Sequence, residues 1–154
     1  MSAARHLLIV YHTQTGHTRR MARAVLRGSR RVVEVETRLK MALRAGLDDL
    51  LWADGLLLGT PENFGYMSGA LKNFLDRTYY PAQGQISGLP YAVFISAGND
   101  GTGALTSIER IARGYPLKPV ADPIIARGEL TAEVLQRCEE LGEMMASGVA
   151  WGIF

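Results

Sequence analysis

Cysteine is nearly absent from this chain, since Cys138 is the single one among its 154 residues. One cysteine can form neither an internal disulfide nor a metal site built from several thiolates. The apolar residues around Cys138 recur at helical intervals, which indicates that the thiol packs in a core. The three histidines, His6, His12 and His17, are not at metal-ligand spacing with other donors. We therefore predict no metal site.

Long hydrophobic runs are also missing. No apolar stretch approaches the ~18 residues of a membrane span, and the chain begins without an apolar signal region and cleavage site. With 47% hydrophobic and 21% charged residues, the composition is typical of a globular protein. We expect one domain over residues 1–154, located in the cytoplasm, with no membrane partner.

An excess of acidic residues is lacking too, because the net charge is +2 and the pI is about 8.8. Arginines crowd between Arg19 and Arg44, whereas most acidic residues lie beyond Asp48. We interpret the arginines as a solvated helix face, with attraction of an acidic or phosphorylated partner as the alternative. No nucleic-acid-binding motif accompanies them, so we predict no nucleic-acid partner.

Apolar strand-like runs alternate with amphipathic helix-like segments along the chain. The predicted strands are residues 7–10, 32–36, 56–58, 91–95 and 124–126. The first predicted helix begins near residue 18. Four more are predicted over residues 48–53, 68–79, 105–112 and 131–151, with Ser68 and Thr131 as amino-terminal caps. Strands separated by helices pair in parallel, which predicts a three-layer α/β sandwich with five strands in the order 2-1-3-4-5. Ligands bind such sheets at the carboxyl ends of the strands, where the order reverses.

The loop after the first strand is suited to a phosphate group. It contains Thr13, Thr15, Gly16 and Thr18 directly before a helix, and the amides and dipole at the start of a helix attract anions. The alternative is that Thr15 or Thr18 merely caps this helix. We favour the phosphate interpretation.

The loops after the third and fourth strands are rich in glycine and polar residues, and they cover residues 59–69 and 96–103. Phe64 and Tyr66 offer flat apolar surface to a planar ligand, and the glycines permit close backbone approach. For Phe64 two interpretations are equally good: contact with a planar ligand, and covering of the hydrophobic core. For Ser68 we favour helix capping.

Two segments resemble flavodoxin-like proteins. Residues 13–18, Thr-Gln-Thr-Gly-His-Thr, are similar to the T-x-T-G-x-T phosphate loop of flavodoxins. Residues 59–67 and 72–76 are similar to the tryptophan-repressor-binding-protein type of flavodoxin-like NAD(P)H:quinone oxidoreductases, and the resemblance covers nearly the whole chain. The chain departs from that pattern at Glu62 and Asn63, which replace threonine and arginine, and at Tyr66, which replaces asparagine.

The resemblance implies a bound FMN, with NAD(P)H as a candidate reductant. It places the phosphate at one group of residues: Thr13, Gln14, Thr15, Gly16, His17 and Thr18. It places the flavin ring between two further groups: Pro61, Glu62, Asn63, Phe64 and Gly65 on one side, and Ser96, Ala97, Gly98, Asn99 and Gly101 on the other. The cofactor carries the redox chemistry, so no side chain is predicted to be catalytic.

The expected function is transfer of electrons from NAD(P)H through FMN to a quinone or similar acceptor. Flavodoxins usually stack an aromatic side chain of the third loop on the flavin and are strongly acidic, and neither holds here, which favours the enzyme. The alternatives are a flavodoxin-type electron carrier without direct NAD(P)H activity and a non-catalytic flavin-binding or flavin-free domain. The expected partner is a small-molecule electron acceptor or a redox protein, and a homodimer is a further expectation.

Overall fold

The computed structural model describes residues 4–154, which form strands and helices in near-strict alternation. The strands are β1 (Arg5–Tyr11), β2 (Val35–Met41), β3 (Gly55–Asn63), β4 (Tyr66–Met67), β5 (Leu89–Ala97), β6 (Leu117–Pro119) and β7 (Ile124–Arg127). The helices are α1 (His17–Ser29), α2 (Leu47–Trp52), α3 (Gly69–Ala82), α4 (Thr102–Gly114) and α5 (Ala132–Trp151).

The main sheet is parallel and has the order β2-β1-β3-β5-β6, with β7 also paired in parallel to β5. Since β6 and β7 occupy the same place beside β5, the predicted order 2-1-3-4-5 is confirmed. The order reverses between β1 and β3, which are hydrogen-bonded neighbours. The loops after β1, β3 and β5 therefore meet at the carboxyl edge of the sheet, where ligands bind in such folds.

The central strands are buried on both faces, which explains their continuous apolar sequences. Alternate residues point to opposite sides, so that Leu8 and Val10 pack with α3 and α4 residues such as Phe74 and Ile108. Their neighbours Leu7 and Ile9 pack on the other side with residues of α1 and α5. The two resulting cores give the predicted three-layer sandwich.

Helices α1 and α5 cross at very short range because each has a glycine at the contact. A Cβ atom at Gly28 would lie 1.8 Å from the carbonyl oxygen of Glu139, and one at Gly142 would lie 1.9 Å from that of Val25. No side chain fits at either position. The crossing fixes α1, and therefore its amino end, against the sheet.

The arginines of α1 are mainly exposed, which agrees with a solvated face. Arg27 and Arg31 also form ion pairs across the helix crossing, Arg27 with Glu139 at 3.3 Å and Arg31 with both Glu139 and Glu143. Exposed pairs of this kind contribute little stability individually.

The second strand was predicted over residues 32–36, but it lies further along the chain, at Val35–Met41. Residues 31–34 form turns in which the Val32 N–H bonds to the Ser29 carbonyl and the Val35 N–H to the Val32 carbonyl. Val33 is 87% exposed. The strand begins at Val35 and alternates polar and apolar residues, which is typical of an edge strand with one solvent-exposed face.

Other boundaries differ more modestly. Strand β3 continues to Asn63, through residues predicted as loop, because its end pairs with β4 in a hairpin. Strand β6 was not predicted, since its three residues are too few for a periodic pattern. The amino-terminal cap at Thr131 is confirmed, because its Oγ1 accepts the Val134 N–H at 3.2 Å.

Cys138 packs in the core between the sheet, α1 and α5, as predicted. Burial raises the pKa of its thiol to about 12, so the side chain is an inert apolar group at neutral pH. Within residues 4–154 no helix combines the length and the apolar character needed to cross a bilayer.

Candidate functional site

The loops after β1, β3 and β5 surround an open cleft of about 520 Å³ at the carboxyl edge of the sheet. The residues lining it are Gln14, Thr15, His17, Pro61, Glu62, Asn63, Ser96, Ala97, Gly98, Gly128 and Glu129. Nine of these eleven are site residues predicted from the sequence. The cleft lies at the predicted topological switch point.

The first loop leads into α1 through Gly16, whose φ of 102° is in the left-handed region. This conformation favours glycine because it carries no Cβ. The first intrahelical bond of α1 joins the Arg20 N–H to the Gly16 carbonyl at 3.1 Å, so the preceding amides of the first turn point out of the helix end without intrahelical acceptors. The first turn contains no acidic residue. An anion is therefore well accommodated there.

The helix-capping alternative for Thr15 and Thr18 is wrong, because the cap is Gly16 and, among residues 4–154, no side-chain cap bond forms at this helix end. Thr13 instead accepts the Gly16 N–H at 3.0 Å and holds the loop in shape. Thr18 is buried, and its hydroxyl lies 2.7 Å from that of Ser96. That contact joins α1 to the end of β5.

The second loop is a hairpin in which Glu62 pairs with Met67 and Asn63 with Tyr66. Its turn is formed by Phe64 and Gly65, with φ values of 52° and 70°. Phe64 is fully exposed, so the interpretation that it covers the core is wrong. Ser68 caps α3 by accepting the Leu71 N–H at 3.2 Å, as predicted.

Glu62 reaches from the hairpin to the amino end of α4. Its Oε1 accepts the Gly101 N–H at 3.2 Å and its Oε2 accepts the Ala104 N–H at 3.1 Å. Beside it, the Asn63 side-chain amide donates to Gln14 Oε1 at 3.2 Å. Two of the three residues that depart from the resembled pattern, Glu62 and Asn63, thus connect the hairpin to both neighbouring loops.

The third loop follows β5, and its residue Gly101 has a φ of 77°. A Cβ at this position would also lie 2.4 Å from Ile125 Cγ2, so glycine is required for two reasons. Asp100 accepts both the amide and the hydroxyl hydrogen of Thr102, and these bonds hold the pKa of Asp100 below its usual value.

Sequence reasoning missed Gly128 and Glu129, which complete the cleft after β7. The Gly128 N–H donates to the Ala97 carbonyl at 2.8 Å, which brings this fourth loop against the third. The fifth predicted strand ends at the same edge of the sheet as the others. Because ligands bind at the carboxyl ends of parallel strands, the loop after this strand could have been included in the predicted site.

The predicted site residues that do not line the cleft are Thr13, Gly16, Thr18, Phe64, Gly65, Asn99 and Gly101. Thr13 and Gly16 shape the first loop, and Gly101 begins α4. Phe64 and Asn99 are exposed.

The charge in the cleft is negative although the chain is basic overall. Among the described residues that line it, Glu62 and Glu129 are the acidic ones, and none is lysine or arginine. Nearby, burial lowers the pKa of His12, which favours its neutral form. Positive potential in the cleft therefore comes chiefly from the amino end of α1.

The residues present fit FMN. The glycine at the start of α1 has nothing within 4 Å of its missing Cβ, and the amides behind it form an anion site. The adjoining cleft has apolar surface from Pro61 and Ala97 and polar groups at its rim, which is the usual character of a cofactor site. In the described part of the chain, no group of three or more His, Cys, Asp or Glu side chains is placed to hold a metal ion.

The parallel sheet, its switch-point cleft and the open helix end define a flavodoxin-like, FMN-binding class of protein. Residues 7–113 match the family described as NADPH-dependent FMN reductase, and the chain belongs to that family. The resemblance drawn from the sequence is confirmed, and so is FMN as the cofactor, with NAD(P)H as a candidate reductant.

Two relatives in sequence point to different activities. A flavodoxin of Aquifex aeolicus is 33% identical over an alignment of 160 positions that covers 94% of this chain and 86% of the relative. An NAD(P)H dehydrogenase (quinone) of Acidithiobacillus ferrooxidans is 33% identical over an alignment of 123 positions that covers 66% of this chain and 62% of the relative. The family is thus that of FMN-binding flavodoxin-like oxidoreductases.

Solved structures agree with the fold. A flavodoxin from the domain Archaea superposes with a TM-score of 0.81 at 25% identity, covering 94% of this chain and 98% of that one. A WrbA-like flavodoxin from Agrobacterium tumefaciens superposes with a TM-score of 0.77 at 23% identity, covering 97% and 99%. The three-layer flavodoxin-like fold is therefore confirmed.

Proposed function

We propose that this protein is an FMN-dependent oxidoreductase that passes electrons from NAD(P)H to a quinone or similar small acceptor. The observation that carries the proposal is the open cleft beside the anion site of α1. None of the described residues that line it is phenylalanine, tyrosine or tryptophan. A flavin bound there keeps one ring face accessible to a second planar molecule.

The FMN phosphate binds at the amino end of α1, where the first-turn amides that follow Gly16 are the donors and Thr15 adds a hydroxyl. Gln14 and His17 line the adjoining wall. The flavin ring lies between the hairpin of residues 61–65 and five residues of the third loop, which are Ser96, Ala97, Gly98, Asn99 and Gly101. Backbone groups of both loops, together with Asn63, supply hydrogen bonds to its polar edge.

When bound, FMN supplies the capacity to accept a hydride and to donate electrons. The protein contributes position and electrostatics. Pro61 and Ala97 provide apolar surface for the ring, while Ser96 and Gly98 bring polar groups close to it. No side chain is required as a general acid or base, so none is proposed as catalytic.

The test is steady-state oxidation of NADH and, separately, NADPH by the FMN-loaded protein with a soluble quinone. We expect quinone-dependent turnover far above that of the same concentration of free FMN. A rate equal to that of free FMN, with protein-bound flavin verified in the same sample, would contradict the proposal.

A second candidate is a flavodoxin-type electron carrier. Two observations favour it: the flavodoxin relative matches 94% of the chain, and the cleft carries two carboxylates without a basic side chain. This candidate predicts no oxidation of NAD(P)H by the protein alone, and turnover only when a separate flavin reductase protein is added.

The homodimer, the single domain over residues 1–154 and the cytoplasmic location stay predictions. Sedimentation equilibrium tests the first, since a dimer has twice the chain mass of 16.8 kDa. Cooperative unfolding with coincident fluorescence and circular-dichroism transitions tests the second. Fractionation of the source cells tests the third.

A further inference from the structure

Three side-chain links join the loops around the cleft into a closed ring. Gln14 and Asn63 join the first loop to the hairpin, and Thr18 and Ser96 join α1 to the end of β5. Glu62 closes the ring by joining the hairpin to the amino end of α4. Each loop that faces the flavin is thus tied to both others.

The Glu62 link differs from the other two because it is charged. Hydrogen bonds from amides to a carboxylate are stronger than those between neutral groups, and both carboxylate oxygens of Glu62 are used. The first turn of α4 has no acidic residue of its own, and its cap, Gly101, has no side chain. Asp100 supplies one negative charge at this helix end, and Glu62 adds a second from a site about 40 positions earlier in the chain.

The hairpin also lies directly against α4. A Cβ at Gly103 would come 2.1 Å from the carbonyl oxygen of Gly65, so the two backbones are in contact. The Met67 N–H donates to Ser107 Oγ at 3.1 Å on the buried side of the same contact. Glu62 therefore acts at a close-packed junction, where a change in one partner moves the other.

We infer that Glu62 is a positioning residue that clamps the hairpin to the amino end of α4 and so holds the FMN cleft in its binding shape. Preorganised loops bind a ligand more tightly because less ordering is required on binding. The inference rests on the proposed placement of the flavin ring between these two loops. Since Glu62 also lines the cleft, its negative charge disfavours the reduced flavin.

The first test uses the flavin-free protein and FMN together. Glu62→Ala should speed amide hydrogen exchange at Gly101 and Ala104 in the flavin-free protein. It should also weaken FMN binding at least about tenfold, as measured by quenching of flavin fluorescence. Unchanged FMN affinity in this variant would overturn the inference.

Asp100→Ala is the matched control. It removes a carboxylate from the same helix end, where Asp100 bonds to Thr102, but cuts no link to the hairpin. FMN affinity should stay within about threefold of wild type, well under one tenfold step. An equal loss in both variants would show that only capping of α4 matters, which would also overturn the clamp.

Glu62→Gln separates charge from geometry and covers the case in which Glu62→Ala fails to fold. Glutamine keeps one acceptor oxygen, so protection should persist at one of the two amides. The FMN reduction potential should shift to less negative values because the fixed charge is gone. An unchanged potential together with unchanged affinity would contradict the inference. If the wild-type protein does not oxidise NAD(P)H, the proposed enzyme activity is overturned, but the FMN-binding results still test the role of Glu62.

Discussion

The threonine hydroxyls of the first loop and the start of α1 are of two kinds: two bond within the protein and one lines the cleft. Thr13 and Thr18 have partners within the protein, the Gly16 amide and the Ser96 hydroxyl. Thr15 is exposed and lines the cleft. The sequence pattern correctly brought them to one place, but it could not separate the hydroxyls that bond within the protein from the one that lines the cleft.

Replacing Thr15 with valine should therefore weaken FMN binding without unfolding the protein. A hydrogen bond to a charged phosphate contributes about 2 kcal/mol, which corresponds to roughly a thirtyfold rise in Kd. Flavin fluorescence titration measures the affinity, and thermal unfolding of the flavin-free protein should show an unchanged Tm. Thr106→Val, an exposed change on α4, is the control and should affect neither. An unchanged Kd for Thr15→Val would mean that the phosphate lies elsewhere.

Asp49 illustrates a residue whose role is stability. Its carboxylate lies 3.0 Å from Lys40 Nζ, 3.2 Å from Arg38 Nη1 and 3.0 Å from the Gly46 amide. Burial alone would raise its pKa, but the Lys40, Gly46 and Arg38 contacts outweigh burial and hold the pKa below its usual value of 3.8. The folded state therefore favours the ionised form more than the unfolded state does.

Because the folded pKa is depressed, this stabilisation is complete above about pH 5 and is lost as the pH falls through the folded pKa. Asp49→Asn should lower the free energy of unfolding by about 1–3 kcal/mol near neutral pH. The difference in free energy of unfolding between the wild type and this variant should become smaller below about pH 4. Urea unfolding at several pH values measures it, with the exposed Asp48→Asn as the control. A pH-independent gap would exclude this linkage.

At the scale of helices and strands, the most constrained contact is the crossing of α1 and α5. It depends on Gly28 and Gly142, whose missing side chains let two backbones touch. The sequence predicted both helices from their apolar periodicity. It gave no indication of the crossing, because a glycine inside a helix carries no sign of what approaches it.

Gly142→Ala should force the two helices apart and lower the free energy of unfolding by about 1–3 kcal/mol, as overpacking of a tight contact does. Gly114→Ala, at the end of α4, is the matched control because the nearest atom to its Cβ is Tyr79 Cε1 at 3.8 Å. It should be neutral or stabilising by up to about 1 kcal/mol. Chemical denaturation of both variants measures the difference, and equal stability of the two would contradict the crossing geometry.

Among the strands, prediction succeeded where burial dominates and failed where hydrogen bonding decides. The apolar cores of β1, β3 and β5 were located correctly because continuous burial leaves a continuous apolar sequence. The boundary of β2 depended on turn bonds after α1, and the extension of β3 depended on pairing with β4. Neither leaves a periodic signal in the sequence.

At the scale of the whole molecule, topology locates the site and longer-range contacts shape it. The switch-point rule correctly brought together the loops after three strands, and nine predicted residues line one cleft. Gly128 and Glu129 were omitted because the rule was not extended to the last strand. The link from Glu62 to α4 spans about 40 residues, and no local motif predicts such a contact.

The molecule also separates its charges. It carries a net charge of +2 and an arginine-rich α1, yet two carboxylates, those of Glu62 and Glu129, line the cleft. Under the proposed function, the arginines of α1 attract an anionic dinucleotide to the surface, while the two carboxylates disfavour the anionic reduced flavin and so favour its reoxidation.

Anaerobic mixing of the FMN-loaded protein with NADH and, separately, with NADPH tests the proposed function most directly, with the visible flavin absorption as the readout. The proposal predicts rapid and complete bleaching by at least one nucleotide, and return of the absorption when a quinone is added. No bleaching by either nucleotide, in a sample whose flavin is bleached by dithionite, would contradict it and favour the electron carrier.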